Sequence, residues 1–233
     1  MKNIFISPHF DDAIGSCGGL IQSLDNVLIC TIFTRQYKED ISQVAKDLHN
    51  DWKLKNAVKS RKKENKKACK ILKLKSKNLN FLEFIYRKNS TGFICKSFDS
   101  LFGKDYVYEN GLENQLLQKI KKKFSEENQF YFPMSMGSHV DHVLLHNVGL
   151  KLKDEGYKVK FYQDFSYQFD QKVENFKVEK HYFNETVLNK KIKACMCYVS
   201  QMPDLFGNNE NAKKYFKSFK EKEKYYERYY ERI

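Results

Sequence analysis

Apolar and polar positions fall along this chain in blocks whose lengths separate strands from helices. Asn3–Ser7 and Val27–Phe33 are short, nearly continuous apolar runs, the pattern of buried strands. Between them, Ala13–Asp25 has the length and spacing of a helix. A β-α-β opening of this kind predicts parallel strands joined by a right-handed crossover. Ser60–Leu74 predicts a helix with Ala68, Ile71 and Leu72 on one side and lysines over the other. Leu79–Phe84 predicts a short strand. Leu112–Phe124 predicts a second amphipathic helix, with Leu116, Leu117, Ile120 and Phe124 as its stripe. Gln129–Pro133 reads as a strand leading into a loop with Gly137. Val140–Asp154 reads as a helix and Val159–Phe165 as a strand. From Glu185 the pattern is mostly helical and ends in a charged, tyrosine-rich run, Lys214–Arg232, which reads as part of a helical tail over about 209–233. Alternating strands and helices predict a Rossmann-like three-layer α/β/α sandwich with a mostly parallel sheet. The chain has three prolines, no Gly/Ser-rich linker and no repeat, so a single domain is expected over all 233 residues.

Two polar clusters follow predicted strands. Ser7-Pro8-His9-Phe10-Asp11-Asp12 ends the first; His139-Val140-Asp141-His142 follows Gln129–Pro133. In open α/β sheets ligands bind beyond the carboxyl ends of strands, so the two clusters can converge at one sheet edge. Neither is large enough to hold a metal. Together they supply three N/O ligands, an open position and a spare carboxylate, which is what a catalytic zinc needs. Asp11 and Asp12 are adjacent, so their side chains diverge: one can bind metal while the other faces the reacting water. Asp12 can also cap the helix that follows. Spacing alone leaves two histidine pairs open, His142/His146 at i, i+4 and His139/His142 at i, i+3 across a helix start. Gly18-Gly19 inside a helix costs about 1 kcal/mol per glycine relative to alanine, which points to close backbone approach. Gly15-Ser16-Cys17-Gly18-Gly19 is not a G-x-G-x-x-G, so a dinucleotide-binding loop is rejected.

The net charge of +13 fits a phosphate-bearing or anionic partner, or a chain simply rich in Lys, Asn, Tyr and Phe. A cation-rich rim would suit an anionic sugar donor or peripheral contact with an anionic membrane surface. The six cysteines are scattered without a C-x-x-C, the pattern of reduced thiols in a cytoplasmic protein. Met1-Lys2-Asn3 leads into only about four apolar residues, so no signal peptide is expected, and no run is long enough to cross a bilayer.

His9-Phe10-Asp11-Asp12 with Gly18-Gly19 resembles the P-H-[PF]-D-D…GG signature of the PIG-L/LmbE-like zinc-dependent deacetylases, and His139-Val140-Asp141-His142 resembles their H-x-D-H. The resemblance implies zinc ligands His9, Asp12 and His142, Asp11 as general base, His139 polarising the carbonyl or protonating the leaving amine, and Asp141 orienting His139. It implies an N-acetylated sugar or nucleotide-sugar as substrate and no nucleic-acid partner. Weaker matches are Arg61, Glu64 and Ala68 (R-x-x-E-x-x-x-A), Glu83-Phe84-Ile85-Tyr86-Arg87 with Glu83 in place of Asp, Tyr162-Gln163-Asp164-Phe165-Ser166-Tyr167 with Ser166 in place of Pro, and Lys193, Tyr198, Ser200 and Gln201. They place Tyr86, Arg87, Asp164 and Tyr167 as substrate-binding candidates.

These residue types suit amide hydrolysis without the family. A zinc-bound water is acidified to a pKa near ~7, a carboxylate can take its proton, and a histidine can serve the leaving nitrogen. Ferrous iron suits the same ligands. A basic α/β nucleic-acid-binding module with structural His/Asp clusters is the rival reading; the sequence carries no aromatic-basic recognition motif to support it. If Asp141 is to orient His139, a non-helical turn is expected across Ser138–Asp141, with helix from about His142, because i and i+2 diverge on a regular helix.

Overall fold

The computed structural model describes residues 1–37, 40–103, 109, 111–166 and 173–233. In chain order its elements are β1 (Asn3–Ser7), α1 (Asp12–Ser23), β2 (Val27–Arg35), α2 (Gln43–Asp51), α3 (Ala57–Leu72) and β3 (Lys75–Leu82), then a 3-10 turn (Phe84–Tyr86) and a small hairpin of β4 (Lys88–Asn89) and β5 (Gly92–Phe93). A second 3-10 turn (Asp99–Phe102), α4 (Leu112–Lys123), β6 (Gln129–Pro133), α5 (Val140–Asp154), β7 (Lys158–Tyr162) and β8 (Phe176–Phe183) follow. The chain closes with α6 (Glu185–Cys195), α7 (Met202–Phe206), α8 (Asn209–Ser218), β9 (Lys220–Glu221) and β10 (Lys224–Arg232).

The main sheet runs β3-β2-β1-β6-β7-β10-β8, with β9 beside β10. The pairings from β3 to β7 are parallel; β10 is antiparallel to both β7 and β8. The result is a mostly parallel sheet between two helical layers. Strand periodicity sends alternate residues into each layer. Ile4 and Ile6 of β1 pack with Leu116 and Ile120 of α4 and with Leu144, Leu145 and Val148 of α5. Phe5 turns the other way, onto Ala13, Cys17 and Ile21 of α1, while α3, α6 and α8 share a further cluster on that side. From β1 the chain winds outward through β2 and β3, then crosses back to β6 and β7. The order therefore reverses between β1 and β6, and that switch point is where this class of sheet opens a crevice.

Gly18 and Gly19 do what their helix-breaking cost implied. A Cβ on Gly18 would lie 2.6 Å from Lys191 Cγ, and one on Gly19 only 2.3 Å from Phe183 Cε1. The backbone N–H groups of Gly19 and Leu20 donate to the Glu227 carboxylate at 2.7 and 2.8 Å, and Lys191 Nζ donates to the same group at 2.7 Å. The glycines let α6, β8 and β10 close on α1.

The expectation of a helical tail over about 209–233 is corrected. Asn209–Ser218 is helical, but Lys224–Arg232 is a strand inserted between β7 and β8. Tyr225, Tyr226, Tyr229 and Tyr230 fit a helical stripe and a strand equally well. Tyrosine's preference for a pleated, half-buried surface, together with the open edge of β7, makes the strand the better solution. β3 begins at Lys75, four residues before the expected strand, because Lys75 and Lys77 lie on an edge strand that tolerates exposed charge. α2 and β8 were not anticipated. Among the described residues all six cysteines are free thiols, and no helix is long and apolar enough to cross a membrane.

Candidate metal and catalytic site

His9 follows β1 directly. The Ser7 hydroxyl donates to His9 O at 2.5 Å and accepts from the Ala13 N–H at 3.1 Å, which folds the strand end into the start of α1. His9 N–H donates to Asp12 Oδ2 at 2.7 Å, so the first turn of the helix carries Asp12 back toward the histidine. The other half arrives from β6. Ser138 takes a left-handed conformation (φ 56°), and His139 caps α5 in an extended conformation, its Nδ1 accepting from the Asp141 N–H at 3.2 Å. The irregular turn therefore ends at His139, and the helix starts at Val140 rather than at about His142.

The two halves meet. His9 Nδ1 lies 3.3 Å and His142 Nε2 3.5 Å from Asp12 Oδ2. One donor atom from each of His9, Asp12 and His142 falls within a 4.8 Å group, and all three residues are buried. Each histidine's other nitrogen is held by a carboxylate: His9 Nε2 by Asp141 Oδ2 at 3.0 Å, and His142 Nδ1 by Asp164 Oδ1 at 2.5 Å. That arrangement fixes ring orientation and raises ligand basicity, as behind metal-bound imidazoles. Burial opposes protonation of His9 and His142, but Glu83 and Asp12 outweigh it for His9, and Asp12 and Asp164 for His142, so both pKa values rise. Burial also opposes charge on Asp12, yet the two imidazoles hold its carboxyl well below the usual range. Four buried carboxylates around two imidazoles make a field that favours a cation. The donor set, its spacing and its outer hydrogen bonds fit a divalent metal.

The same cleft is also lined by Arg61, Glu83 and His139. Arg61 Nη1 reaches Glu83 at 3.1 Å and Nη2 reaches Asp11 at 3.5 Å. Burial and the neighbouring Asp12 carboxylate push the Asp11 carboxyl up to about 6, against the pull of Arg61. Burial, then His9 and His142, push the His139 pKa well down.

Residues 4–153, which contain both halves of this cluster, match the family described as PIG-L, GlcNAc-PI de-N-acetylase. The chain belongs to that family. It is also 29% identical, over 90% of its own length and 84% of the relative's, to 2'-N-acetylparomamine deacetylase of Niallia circulans. A deacetylase of the teicoplanin biosynthesis pathway shares the fold with a TM-score of 0.79 at 23% identity, covering 99% of this chain and 97% of that one. N,N'-diacetylchitobiose deacetylase from Pyrococcus horikoshii is more distant, with a TM-score of 0.57 at 16% identity over 98% and 83% of the two chains.

Among the weaker family matches, Arg61 anchors Asp11 and Glu83. Glu64 accepts from the Ser200 N–H at 3.1 Å and hydroxyl at 2.8 Å, and the Tyr198 hydroxyl donates to Asn65 at 3.0 Å, so α3 and the late Tyr198–Gln201 segment are one structural unit. Glu83 lies 3.7 Å from His9 Nε2. His146 is elsewhere: its Nδ1 is 3.2 Å from Pro133 O and its ring lies 4.8 Å from that of Phe161. This disposes of the i, i+4 pair.

Several expected roles are corrected. The Asp141 carboxylate bonds His9, the Phe84 N–H at 3.1 Å and Arg87; it lies within 4.8 Å of a His139 ring nitrogen, but the hydrogen bond to His139 comes from the Asp141 backbone N–H. Asp164 is buried behind His142 and also accepts from Met136 N–H, so it holds the His142 ring. Tyr86 is core, its hydroxyl 2.6 Å from His49 Nε2. Arg87 is buried among Asp141, Glu109 and Leu82 O, because the 3-10 turn Phe84–Tyr86 carries it inward. Tyr167 lies outside the described residues. Sequence reasoning missed Trp52, Phe98, Phe102 and Leu205 on the cleft walls. Their signal was faint, since aromatics are abundant throughout this chain.

Proposed function

We propose that this protein is a metal-dependent hydrolase that removes the N-acetyl group of an amino sugar, nucleotide-linked or glycan-linked. The observation that carries the reading is the convergence of His9, Asp12 and His142, from opposite ends of the family match, on one cleft whose imidazoles are each backed by a carboxylate. His9, Asp12 and His142 would hold the metal. Zinc is favoured by the N/O donor set, and ferrous iron suits it too. A solved relative, 22% identical, is described as the zinc-inhibited form of a teicoplanin deacetylase, which supports a metal site in this fold without choosing between the two metals. When bound, such an ion acidifies water and polarises an amide oxygen.

The protein's own groups do the rest. Asp11, raised to about 6, is poised to accept a proton near neutral pH. His139 accepts at Nδ1, which leaves its proton on Nε2; a neutral N–H donor there can stabilise charge developing on the amide oxygen. Arg61 holds Asp11 in place. The basic surface suits an anionic donor or a membrane-adjacent substrate in the cytoplasm.

Two measurements test this. Metal analysis of purified protein should find about one equivalent per chain, lost in His9→Ala and His142→Ala and kept in His139→Ala. A screen of N-acetyl sugars and their nucleotide conjugates should find one from which acetate is released, with kcat lowered by ~10²–10⁴ in His139→Ala. A metal-free wild type, or metal that survives loss of both histidines, would overturn the reading.

A further inference from the structure

The mouth of the cleft is greasier than hydrolysis of a sugar amide requires. Ten large hydrophobic side chains are exposed among the described residues, and three of them, Phe98 (58% exposed), Phe102 (40%) and Leu205 (42%), line this one cleft. They come from two separate elements. Phe98 and Phe102 bracket the 3-10 turn Asp99–Phe102, and Leu205 projects from α7. The rings form a file that leads inward. Phe98 lies 5.8 Å from Phe102, Phe102 lies 6.1 Å from His139 at 86°, and His139 lies 5.0 Å from His9. Trp52 underlies the cleft and donates its Nε1–H to Asp204 of α7 at 3.0 Å, which ties the far lip to the floor.

Exposed apolar side chains are ordinary when scattered; gathered on the lip of a functional cleft they mark an apolar contact. We infer that this lip is a subsite for an apolar aglycone, an aryl or alkyl group joined to the N-acetylated sugar. The inference rests on the deacetylase reading above. The subsite is continuous with the catalytic cleft, which says what occupies it. The reacting amide must lie beside His9 and His139, and a pyranose ring next to it reaches Phe102. Phe98 lies one ring farther out along that file, and Leu205 is exposed on the lining of the same cleft, where a group attached to the sugar can meet them. The inner cleft does hold apolar walls, Leu48, Ile85 and Leu101 among them, but these are buried beside the Arg61–Glu83 pair, whereas the exposed apolar surface lies on the lip.

The test compares the methyl and phenyl β-glycosides of N-acetylglucosamine with N-hexanoylglucosamine, reading acyl release and, separately, binding. Trp52 is the only tryptophan in the chain and lies on the cleft wall, so its fluorescence reports occupancy whether or not turnover follows. Burial of one aryl group should favour the phenyl over the methyl glycoside by about tenfold in kcat/KM and in affinity. That ratio should fall to about one in Phe98→Ser and in Leu205→Ser; both are exposed positions at which the fold should persist. A wild-type ratio near one, or a ratio unmoved by both substitutions, overturns the inference. So does a gain seen for the N-hexanoyl compound alone, which would give the lip to the acyl chain. If no compound releases its acyl group, the deacetylase reading fails, and the Trp52 titrations still decide whether the lip recognises apolar aglycones.

Discussion

Asp141 Oδ2 lies 3.0 Å from His9 Nε2, joining residues 132 positions apart in the chain. The contact fixes which imidazole nitrogen faces Asp12. It also makes Asp141 a support for the proposed metal site, with Arg87 and the Phe84 N–H holding it from behind. Asp164 does the same for His142 from the other side.

Asp141→Asn should therefore weaken metal binding by ~10–100-fold while leaving the stoichiometry at saturation unchanged, the usual cost of losing an outer carboxylate. Competition with a chromogenic chelator reads this directly. Wild-type affinity in the variant would show that Asp141 has no influence on the site.

Asp11 and Asp12 should separate cleanly. Asp12 lies between the two imidazoles, whereas Asp11 is drawn toward Arg61. Asp11→Asn should retain metal and lose ~10²–10⁴ in kcat, as expected for a general base. Loss of metal with turnover otherwise preserved on metal addition would exchange the two roles.

Gly19 should not accept a side chain. Its Cβ would sit 2.3 Å from Phe183 Cε1, in a region closed by the buried Lys191–Glu227 pair. Gly19→Ala should destabilise the protein by about 1–3 kcal/mol through overpacking, despite alanine's better helix propensity. Urea unfolding measures this; a stabilised variant would mean that β8 yields.

His49 should make stability depend on pH. Burial, then Arg61, against the pull of Glu83, lower its pKa below the ordinary imidazole value of about 6.5. The unfolded chain then binds a proton that the folded one refuses, so stability is full above about 6.5 and falls as pH drops toward the lower folded value. Between about pH 7.5 and pH 5.5, the urea midpoint should fall more in the wild type than in His49→Gln. Equal falls would assign the acid sensitivity to other groups.

The parts of this protein that depend on near neighbours were legible from the chain itself. The continuous apolar run of β1, the stripe of α4 and the helix of α5 are local patterns, and the HxDD-type and HxDH-type clusters sit at strand ends where a parallel sheet delivers ligands. That placement brings the two clusters to one edge of the sheet; the choice of His9, Asp12 and His142 within them came from the family resemblance. What the chain could not show is which side chains face one another across long separations. Lys224–Arg232 carries tyrosines spaced for either a helix or a strand; the open edge of β7, and the Lys191 and α1 partners waiting for Glu227, decide for the strand. Arg87 looked like a substrate contact because it follows a strand end, and Asp164 because its segment resembles a family stretch. Only the packed structure turns both inward, where a buried charge persists because its partners, Asp141 for one and His142 for the other, are already in place.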